Sequence, residues 1–312
     1  MTRSPAILLM GPTGSGKTEL AAALVARLPL EIVSVDAAMV YRGMDIGTAK
    51  PPPELLARAP HRLIDLIDPA ESYSAARFLA DAGAAMAEIS GQGRIPLLVG
   101  GTMLYFRALQ SGLAQLPPAD PAIRQRLEAR AVIEGWPALH AELARLDPVT
   151  ATRVRPNDRQ RIQRALEVIE RSGRTLSAQL GQDLRGATSS GDLPLVLAPA
   201  DRGLLFERIA ARFEEMLRRG FVDEVRRLQA RGDLHAGLPS MRLIGYRQLW
   251  QHLEGAATLA DASQMSIAAT RQLARRQLTW LRAEPGAEWF DAGEASACER
   301  ISARVAEWLR KR

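Results

Sequence analysis

The chain of 312 residues has a formal net charge of +6, with 47% apolar and 24% charged residues. This balance is typical of a soluble globular protein with one large domain or two modest ones. No apolar run approaches the roughly 20 residues that cross a bilayer, which excludes a membrane-spanning chain. The single cysteine, Cys298, excludes an internal disulfide and is predicted to be buried in a helix at residues 295–310. We therefore expect a cytoplasmic protein without a membrane partner.

Apolar runs bounded by turn residues predict strands at residues 6–10, 31–35, 63–67, 96–99 and 195–198. Helical patterns at residues 17–28 and 75–90 lie between the first strands. This alternation predicts an α/β protein with a parallel sheet covered by helices on both faces.

A phosphate-binding loop follows the first strand, where residues 11–18 read GPTGSGKT and match G-x-x-x-x-G-K-[ST]. Its glycines let backbone N–H groups surround an anion, and the next helix adds its positive dipole end. The Lys17 ammonium is suited to bridge phosphate oxygens, and the Thr18 hydroxyl is suited to bind Mg²⁺. The predicted phosphate-binding residues are Gly11, Pro12, Thr13, Gly14, Ser15, Gly16, Lys17 and Thr18.

The second strand delivers Asp36 to the same edge of the sheet. A carboxylate there is suited to bind Mg²⁺ or to accept a proton as a general base, and the alternative is the N-cap of the next segment. Residues 42–51 follow, with two glycines and no periodicity. We expect them to form a loop over a site rather than part of the core.

The strand at residues 96–99 ends in Gly100-Gly101-Thr102, without the carboxylate that holds Mg²⁺ in most phosphate-loop ATPases. This counts against an ordinary ATPase. Thr102 is placed to donate a hydrogen bond to a phosphate oxygen at the carboxyl end of the sheet, where α/β proteins bind ligands.

The strand–helix alternation stops after residue 116, where two prolines begin a stiff linker. Residues 123–180 show only helical patterns, residues 183–194 resemble a loop, and the region after residue 201 is mostly helical. The sequence thus predicts a P-loop NTPase-like α/β core of residues 1–116 and 190–312, with an all-helical insertion domain at residues 117–189.

Two stretches are strongly basic. Residues 153–164 contain five arginines against one acid, and residues 242–282 contain six arginines against two acids, so each has a net charge of +4. Such stretches form either solvated helix faces or contacts to RNA phosphates. Two of them in a chain with a phosphate loop favour RNA binding.

Four ring side chains have simpler interpretations. His61 and His140 lack a His, Cys or acid partner at metal-ligand spacing, so we expect structural or surface roles. Tyr246 and Trp280 are suited to stack on a base, although core packing is favoured for Trp280.

Eight segments together resemble one family, the bacterial-type tRNA dimethylallyltransferases, also called tRNA isopentenyltransferases. They span nearly the whole chain and are GPTGSGKT (11–18), SVDAAMVYRGMDIGTAKP (34–51), PHRL (60–63), YSAARF (73–78), GRIPLLVGGTMLY (93–105), NDRQRIQRALE (157–167), SMRLIGYRQ (240–248) and ATRQLARRQLTWLR (269–282).

The resemblance implies transfer of a dimethylallyl group from its diphosphate to N6 of the adenine 3′-adjacent to the anticodon, in tRNAs that read codons beginning with U. The products would be N6-isopentenyladenosine and diphosphate. It further implies that Asp36 is the catalytic base, that Thr102 stabilises the bridging oxygen of the leaving group, and that Arg212 reaches the pyrophosphate held by Lys17, Thr18 and Mg²⁺.

The resemblance also implies contacts to a tRNA anticodon stem-loop, made by a monomer. The family usually has Ser after the catalytic Asp, where this chain has Ala37, and a lost hydroxyl there would weaken a tRNA contact or the orientation of Asp36. The implied tRNA-binding residues are Asp36, Ala37, Ala38, Met39, Thr102, Arg124, Gln160, Arg161, Ile162, Gln163, Arg164, Arg242, Gly245, Tyr246, Arg247, Gln248, Gln272, Arg275 and Arg276.

Two other functions remain open. An adenylate isopentenyltransferase would use the same donor on a free nucleotide, but the helical insertion and the basic C-terminal region exceed what a nucleotide needs. An RNA-binding P-loop NTPase would need no prenyl transfer, and the missing acid after residue 99 counts against it.

Overall fold

A computed structural model describes residues 4–114, 116–180 and 191–312. The chain divides into two compact units, Met1–Leu109 with Thr188–Arg312, and Gln110–Ala187. The sequence predicted the insertion at 117–189. None of the described helices is long and apolar enough to cross a membrane.

The first unit is built on one sheet of six strands, all parallel, in the order β3-β2-β4-β1-β5-β6. The strands are β1 (Ile7–Met10), β2 (Leu30–Val35), β3 (His61–Arg62), β4 (Ile95–Gly100), β5 (Leu193–Ala198) and β6 (Glu288–Asp291). Since they are parallel and β4 lies between β2 and β1, the carboxyl ends of these three strands meet at one edge of the sheet.

Fourteen helices occur in the described residues. They are α1 (Lys17–Val25), α2 (Pro53–Arg58), α3 (Ala75–Gly91), α4 (Met103–Ser111), α5 (Pro121–Glu134), α6 (Trp136–Leu146), α7 (Pro148–Ala151), α8 (Arg159–Ser172), α9 (Leu176–Leu180), α10 (Arg202–Arg218), α11 (Phe221–Gln229), α12 (Tyr246–Leu253), α13 (Leu259–Leu281) and α14 (Ala297–Arg310).

Successive residues of a strand point to opposite faces of the sheet, and helices cover both faces. Leu8 of β1 packs in a core with Phe78 of α3 and residues of α4, α10 and α13. Its neighbour Ile7 packs in a second core with Leu24 of α1 and Ile301 of α14. The predicted parallel α/β class with two covered faces is therefore confirmed.

The predicted strand at residues 63–67 is wrong. Leu63 and Asp65 have φ angles of 65° and 54°, in the left-handed region that a strand does not use. The Asp65 carboxylate instead accepts from the Lys50 ammonium, which also pairs with Asp45. The apolar run is still core, since Ile67 is fully buried and forms an isolated bridge with Tyr41.

Other boundaries moved by a few residues. The first helix ends at Val25 rather than residue 28, and the strand predicted at 195–198 begins at Leu193. Residues 183–190 of the predicted loop lie outside the described residues. The strand β6 was missed, because it is a short outermost strand of the sheet and its four residues of mixed polarity show little periodicity. Cys298 lies in α14 as predicted but is half-buried.

The described residues 116–180 of the second unit form helices α5 to α9, joined by turns and short loops, and contain no strand, as predicted. Its core contains Leu127, Leu139, Leu143, Ile162 and Leu166. The N-cap of α8 is Asp158, whose carboxylate accepts from a backbone N–H in the first turn.

Candidate active site

The phosphate-binding loop leads from β1 into α1. Gly14 and Gly16 have φ angles of 81° and 87°, which side chains disfavour, and Gly16 is the N-cap of α1. The Lys17 Nζ folds back over the loop and donates to the Pro12 carbonyl at 2.7 Å and the Ser15 hydroxyl at 3.2 Å. The ammonium thus lies at the mouth of the anion-binding turn.

A cavity of about 810 Å³, here called the phosphate cavity, opens over this loop. Residues 13–20 line it together with Asp36 and three arginines of or next to α10, Arg208, Arg212 and Arg219. This concentration of cations is suited to bind a polyanion such as a diphosphate.

Burial disfavours the charges of two cations in the phosphate cavity, Lys17 and Arg212. The pKa of Lys17 is lowered to about 7 by burial and by the charge of Arg212, against the opposing charges of Asp36 and Glu19. Burial also lowers the pKa of Arg212. Because two buried like charges favour an anion between them, the cavity is electrostatically prepared for phosphate.

Asp36 follows β2 and is half-buried. Its Oδ1 accepts from the backbone N–H groups of Ala38 at 2.7 Å and Met39 at 3.3 Å, which fixes the turn after the strand. No helix begins there, so Asp36 is not a helix N-cap. Its Oδ1 caps a turn instead. Oδ2 has no hydrogen-bond partner among the described residues, which leaves it able to accept a proton.

Thr102 lies beside Asp36 at the start of α4. Its Oγ1 accepts from the backbone N–H of Ala37 at 3.1 Å. With the oxygen engaged as an acceptor, the hydroxyl hydrogen is available to donate to a ligand oxygen.

The two glycines at the end of β4 explain why no acid stands there. A Cβ atom on Gly100 would lie 2.0 Å from the carbonyl oxygen of Val35, and one on Gly101 would lie 2.4 Å from Nε2 of Gln277. Since neither position has room for a side chain, β4 cannot present a carboxylate at residue 100 or 101.

A second cavity of about 540 Å³, here called the apolar cavity, adjoins the first. Its apolar lining is Met103, Leu104, Ile209, Phe213, Met216, Phe221, Leu243, Ile244, Leu273 and Trp280. Five residues line both cavities, namely Thr13, Asp36, Gly101, Arg212 and Gln277. The Asp36 carboxylate and the half-buried Arg212 guanidinium therefore lie where a cationic pocket meets an apolar one.

Gln277 is a site residue that sequence reasoning missed. It is 9% exposed, its Oε1 accepts from the Thr13 backbone N–H at 3.0 Å, and its Nε2 donates to the Gly101 carbonyl at 2.8 Å. Gln277 is one of three glutamines in α13, and nothing in the sequence distinguishes it as the one that makes this link.

The predicted tRNA-binding residues of the first unit fall into two groups. Arg242, Arg247, Gln272, Arg275 and Arg276 are exposed, and Arg242 and Arg276 line the apolar cavity. Gly245, Tyr246 and Gln248 are buried, although Tyr246 lines the apolar cavity, and their RNA contacts stay predictions. The Tyr246 hydroxyl donates to Glu224 at 2.6 Å, and Gln248 Oε1 accepts from the Gly245 N–H at 2.9 Å.

The loop at residues 42–51 is partly core, which corrects the expectation. Met44, Thr48, Lys50 and Pro51 are buried, but the loop also lies over the site as expected: residues 47–48 line the apolar cavity and residues 49–51 line the phosphate cavity. The reason is a carboxylate that the sequence did not reveal. Glu224 of α11, 2% exposed, accepts from the backbone N–H groups of residues 45, 46 and 47 at 2.8–3.1 Å.

In the second unit, Gln160 and Arg161 are exposed, as are Arg153, Arg155 and Arg159. Ile162 is fully buried in the core of the second unit, and its tRNA contact stays a prediction. Gln163 donates to the Arg124 carbonyl.

Arg124 and Arg164 share one partner in the second unit. The Glu167 carboxylate, with 0% exposure, accepts from Arg124 at 2.8 Å and from Arg164 at 2.6 Å. Their attraction holds the pKa of Glu167 below its usual value against the opposing effect of burial. These two guanidinium groups are already paired with a fully buried carboxylate, whereas the Arg161 side chain is 67% exposed and lies 3.6 Å from Asp158.

The predictions for His61 and His140 agree with the structure, and the one for Trp280 does not. His61 Nδ1 and His140 Nε2 bond to backbone carbonyls, consistent with structural roles. Trp280 is 39% exposed with the Arg107 guanidinium over its ring, so the predicted core packing is wrong. No cluster of three or more potential metal ligands occurs among the described His, Cys, Asp and Glu residues.

The comparison with family models decides the classification. The model described as IPP transferase matches residues 39–284, well over half of the chain. This chain belongs to the IPP transferase family. The family resemblance predicted from its motifs is confirmed.

Relatives of this IPP transferase match over almost their full length. The tRNA dimethylallyltransferase of Bordetella petrii is 58% identical over 308 residues, 98% of each chain. That of Thioalkalivibrio sulfidiphilus is 59% identical over 309 residues, 96% of this chain and 95% of its own.

Solved structures give the same result. The tRNA isopentenylpyrophosphate transferase of Bacillus halodurans has a TM-score of 0.72 at 35% identity and covers 98% of this chain and 97% of its own. A eukaryotic dimethylallyltransferase described as acting on tRNA has a TM-score of 0.82 at 25% identity, covering 99% of this chain and 80% of its own.

Proposed function

We propose that this chain is a tRNA dimethylallyltransferase. It transfers the dimethylallyl group of dimethylallyl diphosphate to N6 of the adenine next to the anticodon, in tRNAs that read codons beginning with U. The observation that carries this proposal is the shared wall of the two cavities, where Asp36 and Arg212 face both a cationic pocket and an apolar one. The names of the relatives support the same reaction.

The donor spans the two cavities. Its diphosphate lies in the phosphate cavity against the loop of residues 11–18, Lys17 and Arg212, and its five-carbon tail points toward the apolar cavity. The adenine enters from the apolar side. A base in an anticodon loop is stacked, so it must leave the stack to reach a recessed carboxylate.

One bond forms and one breaks in the transfer. The adenine nitrogen forms a bond to C1 of the dimethylallyl group as the bond between C1 and the bridging oxygen breaks. The N6 proton passes to Oδ2 of Asp36, which is free because Oδ1 carries the turn. Because the amine lone pair is delocalised into the purine ring, removal of this proton matters for the rate.

The leaving diphosphate needs charge stabilisation. The Thr102 hydroxyl, its oxygen held by Ala37, donates its hydrogen to the bridging oxygen. Lys17 and Arg212 neutralise the terminal charges, and the apolar lining keeps water from the allylic carbon while the bond is broken.

Mg²⁺ fits the donor set. The Thr18 hydroxyl lines the phosphate cavity, and Mg²⁺ bound to a diphosphate commonly takes only one or two protein ligands besides water. Bound there, the ion would offset charge on the diphosphate. Thr18 would be its protein ligand.

The RNA substrate is a tRNA anticodon stem-loop bound by one copy of the chain. Exposed arginines on α8 and α13 supply phosphate contacts, with Arg161 and Arg275 as examples. A free nucleotide would leave these surfaces unused.

The test is incubation of the purified chain with Mg²⁺, labelled dimethylallyl diphosphate and either unmodified tRNA or AMP. Label in tRNA alone supports the proposal. Label in AMP would make the chain an adenylate isopentenyltransferase, and ATP hydrolysis without any label would make it an RNA-binding NTPase.

A further inference from the structure

We propose that Gln277 is a positioning residue that sets the donor diphosphate against Thr102 and Asp36. The proposal rests on the function given above. Gln277 does not act on the reacting atoms, because both ends of its amide bond to protein backbone.

The amide joins two segments that are distant in sequence. Oε1 accepts from the backbone N–H of Thr13 inside the phosphate loop, 264 positions away, and Nε2 donates to the carbonyl of Gly101 at the end of β4, 176 positions away. Only a side chain with both an acceptor and a donor makes this pair of bonds. Gln277 therefore fixes the loop relative to the strand end.

The segments that Gln277 joins are tightly packed. A Cβ atom on Gly101 would lie 2.4 Å from Gln277 Nε2 and 3.1 Å from the Gly11 carbonyl, so the loop, the strand end and the amide are in close contact. With the side chain only 9% exposed, water cannot readily replace it.

The contacts continue to the reacting groups. Gly101 precedes Thr102, whose Oγ1 accepts from the Ala37 N–H next to Asp36. The order of contacts is thus phosphate loop, Gln277, Gly101, Thr102, Asp36. A diphosphate gripped by the loop is held at a set distance from the hydroxyl and the carboxylate.

The main variant is Gln277→Met, which keeps the volume but removes both hydrogen bonds. The matched control is Thr279→Ala on the same helix, an exposed threonine whose hydroxyl bonds only to the Arg275 carbonyl. Because a misplacement of about 1 Å can cost roughly 100-fold in rate, we expect kcat for transfer to fall by about that factor. KM for the donor should change less than about threefold, since Lys17 and Arg212 are untouched. Unchanged kcat in the variant would overturn the proposal.

A double-mutant cycle with Thr102→Val separates positioning from simple packing. If Gln277 acts by placing Thr102, the double variant will be hardly slower than the slower single variant. Rate losses that multiply would show an independent, structural role and overturn the proposal. Should Gln277→Met fail to fold, Gln277→Asn keeps the amide, and its shorter side chain cannot span both bonds, so the same outcomes apply.

Hydrogen exchange in the full-length chain tests, without any enzyme assay, whether Gln277 fixes the phosphate loop relative to the end of β4. Peptides covering residues 11–18 and 100–103 should exchange faster in the Gln277 variant than in wild type or Thr279→Ala. Equal exchange would overturn the positioning role of Gln277. If exchange is faster in the variant but the wild type transfers nothing to tRNA, the link made by Gln277 is supported and the proposed function is rejected.

Discussion

The backbone N–H of Ala37 donates to Thr102 Oγ1 at 3.1 Å and so joins the ends of β2 and β4. The bond uses the main chain of residue 37, so it does not depend on which side chain stands there. Thr102→Val removes the hydroxyl donor while preserving shape. We expect its kcat to fall about 10²- to 10³-fold, the usual loss for one donor to a developing oxyanion.

Thr102→Ser is the control for that loss. It keeps the oxygen and its hydrogen, so steady-state transfer rates should remain within about tenfold of wild type. A serine variant as slow as the valine variant would show that the methyl group, rather than the hydroxyl, is what matters.

Asp36→Asn keeps an oxygen for the Ala38 and Met39 N–H groups but cannot accept the N6 proton. Loss of a general base typically costs about 10²- to 10⁴-fold in rate, and we expect a loss in this range with tRNA affinity nearly unchanged. Asp36→Ala should abolish transfer as well, with an additional loss of turn stability. Filter binding and single-turnover transfer measure the two properties, and loss of binding in Asp36→Asn would make the residue a recognition group.

Diphosphate binding should take up protons near neutral pH. Lys17 has a pKa of about 7 in the free chain, lowered mainly by burial, so part of the population is neutral there. A bound anion favours the ammonium and raises this pKa, and the affinity should therefore fall as pH rises above 7.

Calorimetry of a non-reactive diphosphonate in buffers of different ionisation enthalpy measures this uptake. Lys17→Arg is the control, since a guanidinium stays protonated and its binding should take up fewer protons. Equal proton uptake by both chains would contradict the assignment to Lys17.

The sequence predicted the residues that face the ligand better than the residues that hold them in place. A contiguous motif revealed the loop at residues 11–18, and the strand ends revealed Asp36 and Thr102, because parallel strands bring their carboxyl ends together. Gln277 and Glu224 escaped detection because their roles depend on bonds to backbone groups far away in sequence.

Periodicity also misjudged some apolar and basic segments. Residues 63–67 were predicted as a strand from composition, but the chain turns at Leu63 and Asp65 to reach Lys50. Arg164 counted as a free positive charge in the sequence, whereas Glu167, three residues along the same helix, neutralises it. The pairing of Lys50 with Asp65 is set by tertiary structure, whereas the i,i+3 spacing of Arg164 and Glu167 on one helix could have indicated theirs.

Glu224→Ala should destabilise the first unit. It leaves three backbone N–H groups and the Tyr246 hydroxyl without their acceptor. Since each buried unsatisfied donor costs roughly 1–3 kcal/mol, we expect a loss of at least about 3 kcal/mol in the free energy of unfolding. Urea denaturation measures it, with the exposed neighbour Asp223→Ala as a control expected within about 0.5 kcal/mol of wild type. Equal stability of the two variants would contradict this role.

Arg161 and Arg164 should differ in their effect on tRNA binding. The Arg161 side chain is 67% exposed, and Arg161→Ala should weaken binding and reduce the slope of log affinity against log salt by about one. Arg164→Ala should mainly lower stability, because it removes a partner of the fully buried Glu167. Identical salt slopes for wild type and Arg161→Ala would show that this arginine does not contact phosphate.

The most direct measurement of the central claim is nucleoside mass spectrometry of unmodified tRNA after incubation with dimethylallyl diphosphate, Mg²⁺ and either wild type or Asp36→Asn. We expect N6-isopentenyladenosine at the position following the anticodon with wild type, together with released diphosphate, and hardly any with the variant. No modified adenosine from folded, tRNA-binding wild-type protein, or equal amounts from both proteins, would contradict it.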